Sequence, residues 1–102
     1  MSEPSRTRQF SEVIDELWSV IESRRDADAE TSYTAKLLQG PEDKVLKKIA
    51  EESGEVIMAA KDGDREHLRY EIGDVVYHLL VVMARWGLTP DDIAAELASR
   101  RT

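Results

Sequence analysis

The chain contains no cysteine, and that absence removes disulfides, thiolate zinc centres and cysteine nucleophiles together. Carboxylates, hydroxyls and two histidines remain to carry any chemistry. Positive charge is scarce: 14 lysines and arginines stand against 21 aspartates and glutamates, for a formal net charge of -7. Nucleic-acid surfaces cluster lysine and arginine against phosphate, so this balance argues against a general nucleic-acid partner. An acidic chain that binds phosphates needs a metal ion between the two. No apolar stretch approaches the roughly 18 residues of a membrane span, which leaves no membrane role. The polar stretch from Met1 to Gln9 carries Arg6 and Arg8 and is not followed by the apolar segment and cleavage site of a secretory signal. The protein is therefore expected in the cytoplasm, with residues 1–9 as a disordered tail. Internal repeats, low-complexity tracts and strand-like alternation are also missing.

What is present is helical. At 102 residues, with 41% hydrophobic and 34% charged, the chain has the size of one domain (1–102) and suits an all-α bundle of four to five helices. Phe10, Val13, Ile14, Leu17, Trp18 and Ile21 follow one helix face, with Ser11 as the expected N-cap. Residues 26–32 read as a surface connection, and Tyr33 to Leu38 as a short helix stopped by Gly40-Pro41. A long helix is expected from Glu42 to Lys61, broken at Asp62-Gly63-Asp64, and another from Arg65 to Trp86, closed by Gly87. These two form an antiparallel hairpin. Thr89 is placed to cap a last helix from Pro90 to Arg100.

From Val75 to Ala84 the sequence is apolar except for His78 and covers nearly the whole helix circumference. Either this helix lies at the centre of a monomeric bundle or it forms a homodimer interface. So few helices are available to cover it that the homodimer is favoured.

The informative feature is Glu51-Glu52-Ser53-Gly54-Glu55 on the first long helix, answered by Glu71-Ile72-Gly73-Asp74 on the second. Val45, Ile49 and Val56 define an apolar stripe, and at about 100° per residue Glu52 falls inside it, with Glu55 and Glu51 towards its flank. On the second helix Leu68, Ile72, Val75, Leu79 and Trp86 mark the expected stripe, with Glu71 and Asp74 on one flank and His78 a turn beyond. Like charges at these spacings repel, and a carboxylate on a buried stripe must be paired, protonated or metal-bound. Magnesium, which takes oxygen ligands from carboxylates, waters and phosphates, is the natural cation. Alternatively, the acids are ordinary solvated residues paired with Lys44, Lys47 and Lys48, with Lys48 bonded to Glu52 one turn on. Lys44 and Lys48 lie on the same edge and are equally placed to meet a polyphosphate. His78 either bonds substrate or satisfies Asp74, Tyr77 and Trp86 read as core or interface, and His67 reads as a surface residue.

Glu51-Glu52-x-x-Glu55 followed by Glu71-x-x-Asp74 resembles the signature of the all-α nucleotide pyrophosphohydrolase superfamily, which includes MazG-type enzymes and dimeric dUTPases. Ser32-Tyr33-Thr34-Ala35-Lys36-Leu37-Leu38 and Tyr77-His78-Leu79-Leu80-Val81 resemble its phosphoribosyl-ATP pyrophosphohydrolase branch, from about Val13 to Arg100. The resemblance implies a helical bundle completed by dimerisation and magnesium-dependent conversion of phosphoribosyl-ATP to phosphoribosyl-AMP and pyrophosphate, the second step of histidine biosynthesis. By position it makes Glu52, Glu55, Glu71 and Asp74 the metal ligands. It makes Glu51 a further ligand or the group that orients the attacking water. Lys44 and Lys48 become phosphate contacts, and Ser32, Tyr33 and Thr34 help to close the site, with His78 as a further substrate contact. Gly54 and Gly73 stand where the family favours helix formers, and close helix packing is the expected reason. The chain length implies the stand-alone form without a fused cyclohydrolase domain. Replacing Glu52 with glutamine is expected to abolish most turnover and to leave the fold intact or more stable, because a repelling charge disappears. Two rival readings remain: a house-cleaning pyrophosphohydrolase of the MazG type, and a non-catalytic helical adaptor whose acidic edge binds a basic partner.

Overall fold

The computed structural model describes residues 8–101 and consists of five helices, with no strand among those residues. In chain order they are α1 (Phe10–Ser23), α2 (Tyr33–Gln39), α3 (Glu42–Asp62), α4 (Arg65–Trp86) and α5 (Pro90–Ser99). The expected disordered tail lies, for residues 1–7, outside the described residues; Arg8 pairs with Glu16, and Gln9 opens α1.

Each helix starts where local chemistry satisfies its first amide groups. The N-cap of α1 is Gln9 rather than the expected Ser11: Gln9 has extended backbone angles, and its N–H donates to the Glu12 carboxylate at 3.1 Å. Glu12 sits at the third helical position, where it reaches back to the cap, so the cap falls two residues before the serine. Ser32, Asp64 and Thr89 cap α2, α4 and α5 by accepting from the backbone N–H groups of Ala35, His67 and Asp92. Gly63 (φ 70°) and Gly87 (φ 71°) end α3 and α4 in the left-handed conformation that other residues adopt only at a cost.

The core is small. Ile21, Leu37, Val45, Leu80, Val81 and Ala84 are buried together, with Ile14, Leu17, Trp18 and Leu38 packed around them. Phe10 and Val13, expected on the inner face of α1, remain exposed. The longest packing seam runs between α3 and α4. Along α3 the inward positions are Val45, Glu52 and Ala59, spaced by two helical turns, so Glu52 occupies the stripe as expected. On α4 the inner face is not the expected one. His78, Leu80, Val81 and Ala84 are buried, whereas Ile72, Leu79 and Trp86 are exposed. A helix that is apolar nearly all round has no unique stripe, and the side that packs is the one that meets Ile21, Leu37 and Val45 in the shared core.

Two ties fix the short helix α2. Arg85 of α4 donates to the carbonyl oxygens of Leu37, Leu38 and Gly40 at 2.8, 3.0 and 2.8 Å, satisfying the chain where α2 ends. Gln39 bonds back to the carbonyls of Arg25 and Ala27, which holds the connection from α1. Opposite, α5 has no buried residue and leans over an apolar groove of about 430 Å³ lined in part by Phe10, Ile14, Leu79, Met83 and Leu97. A second apolar cleft, between α3 and α4, is lined by Val56, Ile57, Ile72 and Val75. Gly54 and Gly73 are both exposed, and a Cβ added at either meets nothing within 4 Å. Close packing against a neighbouring helix is therefore not what selects them.

Candidate active site

Because α3 and α4 are antiparallel about Gly63, residues equally far from it in sequence lie at similar heights along the hairpin. Glu55 and Glu71 lie eight residues before and after it (63 − 55 = 71 − 63), and Glu52 and Asp74 eleven (63 − 52 = 74 − 63). The hairpin thus sets the two acidic motifs opposite one another, and two groups of side chains result.

The inner group centres on Glu52, 7% exposed, and His78, 3% exposed. His78 Nδ1 lies 2.7 Å from Glu52 Oε1 and 2.9 Å from the Asp74 carbonyl oxygen. Both neighbours only accept, so Nδ1 carries the proton and donates to each. On the other side of the ring, Nε2 lies 3.1 Å from the Tyr33 hydroxyl. Burial pushes the Tyr33 phenol above its usual pKa, and Tyr77, Glu52 and Asp74 nearby raise it further. The phenol keeps its proton and donates it to Nε2. His78 therefore pairs with Glu52 and Tyr33; its tie to Asp74 runs through the backbone carbonyl and not the carboxylate. The expected Lys48–Glu52 pair does not form, and no lysine takes part in an ion pair among the described residues.

The segment Ser32-Tyr33-Thr34 is fastened at each residue. The Ser32 hydroxyl accepts from the Ala35 N–H at 3.1 Å, Tyr33 meets His78, and the Thr34 hydroxyl bonds that of Tyr77. Tyr33 also stacks on Tyr77, with ring centroids 6.4 Å apart. Tyr77 is thus a hydroxyl partner as well as a packing residue, a role its apolar neighbours in sequence conceal.

The outer group joins Glu55 and Glu71 through a residue that sequence reading left on the surface. His67 Nε2 lies 3.2 Å from Glu71 Oε2 and 3.5 Å from Glu55 Oε1. Among the described residues, Glu55, His67 and Glu71 are the one set of three ligand atoms within 4.8 Å of one another. Glu52 and Asp74 are not part of that set. The signal that would have found His67 is its spacing: four residues before Glu71, it shares that face of α4. Glu51, Lys44 and Lys48 stand on α3, the first two exposed and Lys48 half-buried.

The donor set fits a hard divalent cation. Opposed carboxylates supply the oxygens, and the 3.2 and 3.5 Å separations of the outer group fall below the roughly 4.2 Å between atoms bound across one magnesium ion. No helix among the described residues is long and apolar enough to cross a membrane.

Comparison with known proteins points the same way. The family model described as phosphoribosyl-ATP pyrophosphohydrolase matches residues 8–101. Relatives named phosphoribosyl-ATP pyrophosphatase include one from Nitrosomonas eutropha, 50% identical over 90 residues that cover 88% of this chain and 77% of the relative. One from Pelotomaculum thermopropionicum is 51% identical over 90 residues, covering 88% and 92%. One from Haloarcula marismortui is 50% identical over 92 residues, covering 88% and 94%. With about half of the aligned positions identical and the match running nearly end to end, this chain belongs to the phosphoribosyl-ATP pyrophosphohydrolase family.

Proposed function

We propose that the chain is a single-domain, homodimeric, magnesium-dependent hydrolase that converts phosphoribosyl-ATP to phosphoribosyl-AMP and pyrophosphate in histidine biosynthesis. Family membership and the names of the relatives support the substrate. The single structural observation that carries the chemistry is the meeting of Glu55 from α3 and Glu71 from α4 around His67, across the same seam in which Glu52 is buried.

Water attacks phosphorus, one bridging P–O bond breaks and pyrophosphate leaves, so negative charge builds on the departing oxygens and a proton is lost from the water. Glu55 and Glu71, with Glu52 and Asp74, are the residues to hold magnesium. Held there, magnesium would supply charge neutralisation for the phosphates and acidification of the attacking water. Glu52 keeps one oxygen on His78 Nδ1 and leaves the other for the site, so its carboxylate is aimed before substrate arrives. Exposed Glu51, one residue away, is the group to orient or deprotonate the water. Lys44 and Lys48, one to two turns towards the start of α3, meet the polyphosphate. Tyr33, Thr34 and Ser32 form a fixed wall beside it, and His78 acts through Glu52.

The exposed apolar side chains of Ile57, Ile72 and Leu79, together with the groove under α5, support a homodimer. The absence of cysteine agrees with a cytoplasmic location. The test is pyrophosphate release with magnesium, comparing phosphoribosyl-ATP with ATP and the deoxynucleoside triphosphates. Strong preference for phosphoribosyl-ATP is expected. Cleavage of ordinary triphosphates instead moves the chain to the house-cleaning branch. No release from any of them, with no magnesium-dependent rise in melting point, leaves the adaptor.

A further inference from the structure

The Glu55–His67–Glu71 group is unlike the inner one in its bonding. His67 Nε2 reaches Glu71 at 3.2 Å, at the long edge of a hydrogen bond, and Glu55 at 3.5 Å, beyond the usual range. A single imidazole N–H directed at both carboxylates satisfies one of them at best. Glu71, whose side chain is only 12% exposed, takes the closer bond, and Glu55, 54% exposed, is left to water. A cation held by all three atoms engages both carboxylates at once, which one N–H does not. Two ligands about 2.1 Å from the same ion are about 3.0 Å apart at a right angle and about 3.4 Å apart at a tetrahedral angle. The observed 3.2 and 3.5 Å match that spacing.

The placement of His67 is itself fixed. Its backbone N–H donates to the Asp64 cap at 3.1 Å, which holds it in the first turn of α4. From there its side chain lies on the face of Glu71, and the Gly63 turn brings Glu55 across.

We propose that His67 is a direct metal ligand, binding through Nε2 to the ion that Glu55 and Glu71 hold, and that this nitrogen makes the site prefer a divalent transition ion such as manganese over magnesium. The proposal rests on Glu55 and Glu71 being the metal ligands. Magnesium gains little from an imidazole, whereas affinity for first-row transition ions rises with nitrogen donors. The Nε2 lone pair points to the ion and the ring proton resides on Nδ1.

The experiment loads the full chain and its His67→Gln variant with Mn2+ and records pulsed electron paramagnetic resonance. Coupling to a directly bound 14N is expected in the unaltered protein and is lost in the variant. In parallel, the Mn2+ concentration that half-maximally raises the melting point increases about tenfold or more in the variant. The Mg2+ midpoint changes far less. Both variants melt alike without metal, since His67 is partly exposed. Absence of the 14N coupling, its survival in the variant, or equal shifts for both ions overturns the proposal. Pyrophosphate release by the unaltered protein with magnesium separates the two readings. If it persists without the 14N signal, the hydrolase stands and His67 is only an ion-pair partner. If Mn2+ does not bind at all, the metal assignment of Glu55 and Glu71 falls as well.

Discussion

Replacing His78 with alanine takes the partner from a carboxylate that is 7% exposed and 2.7 Å from its only side-chain donor. Breaking a buried pair in this way costs about 3–5 kcal/mol, because the charge left behind is neither hydrated nor bonded. Replacing Glu52 with glutamine is milder. The amide oxygen still accepts from Nδ1, and a neutral bond replaces a charge-assisted one, for a loss of about 1 kcal/mol. In the double variant no charge is stranded, so its cost falls short of the sum of the single costs by about 2 kcal/mol, within the usual range for residues in contact. For a domain of this size the His78→Ala melting point should drop by roughly 12 °C or more. Thermal and urea unfolding of the four proteins at matched concentration measure this, matched so that any self-association weighs equally on all four. Additivity to within about 0.5 kcal/mol refutes the reasoning: Glu52 would then not depend on His78 for its burial.

Raising the pH tests Tyr33. A phenol whose pKa is raised on folding contributes stability below its unfolded value of about 10 and loses it as pH climbs through the folded value. Tyr33→Phe should flatten the alkaline fall in melting point, and an equally steep fall contradicts the assignment. Gly54→Ala and Gly73→Ala should each stabilise by about 0.5–1 kcal/mol, since the added methyl meets nothing; a lower melting point would show that a second copy covers the position. Arg85→Met should cost about 2–3 kcal/mol by releasing three carbonyls at the end of α2, read by urea unfolding. Sedimentation should show a dimer, and polar substitution of Ile57 and Ile72 together should weaken it, whereas an unchanged mass directs attention to the groove under α5.

The helices were legible in the sequence because caps and stops are local. Thr89-Pro90, Gly63 and Gly87 mark boundaries through chemistry confined to a few residues. Glu52 was legible too, as a charge on an apolar stripe. Its partner was not: Glu52 and His78 are 26 residues apart, and Tyr33 and His78 are 45 apart. That missing pair reverses an expectation. Read as a repelled charge, Glu52 should leave the protein more stable when neutralised; bonded to His78, it should leave it less so. The inner face of α4 was hidden for another reason, since periodicity cannot choose a side of a helix that is apolar almost all round. His67 was half legible: its spacing to Glu71 is local, whereas Glu55 comes near only after the hairpin closes.

The seven residues of α2 are too few to remain helical alone. The helix exists because α4 grips it at both ends, through His78 and Tyr77 at the start and Arg85 at the finish. Letting go of α2 also strips His78 of its Tyr33 bond and frees the ring that aims Glu52. Docking of α2 therefore works as an on–off condition for each molecule. A substitution that leaves α2 seated in about one free molecule in ten lowers kcat/KM about tenfold, while the molecules that are seated turn over at the full rate. Defects in this segment thin the active population and leave the chemical barrier untouched.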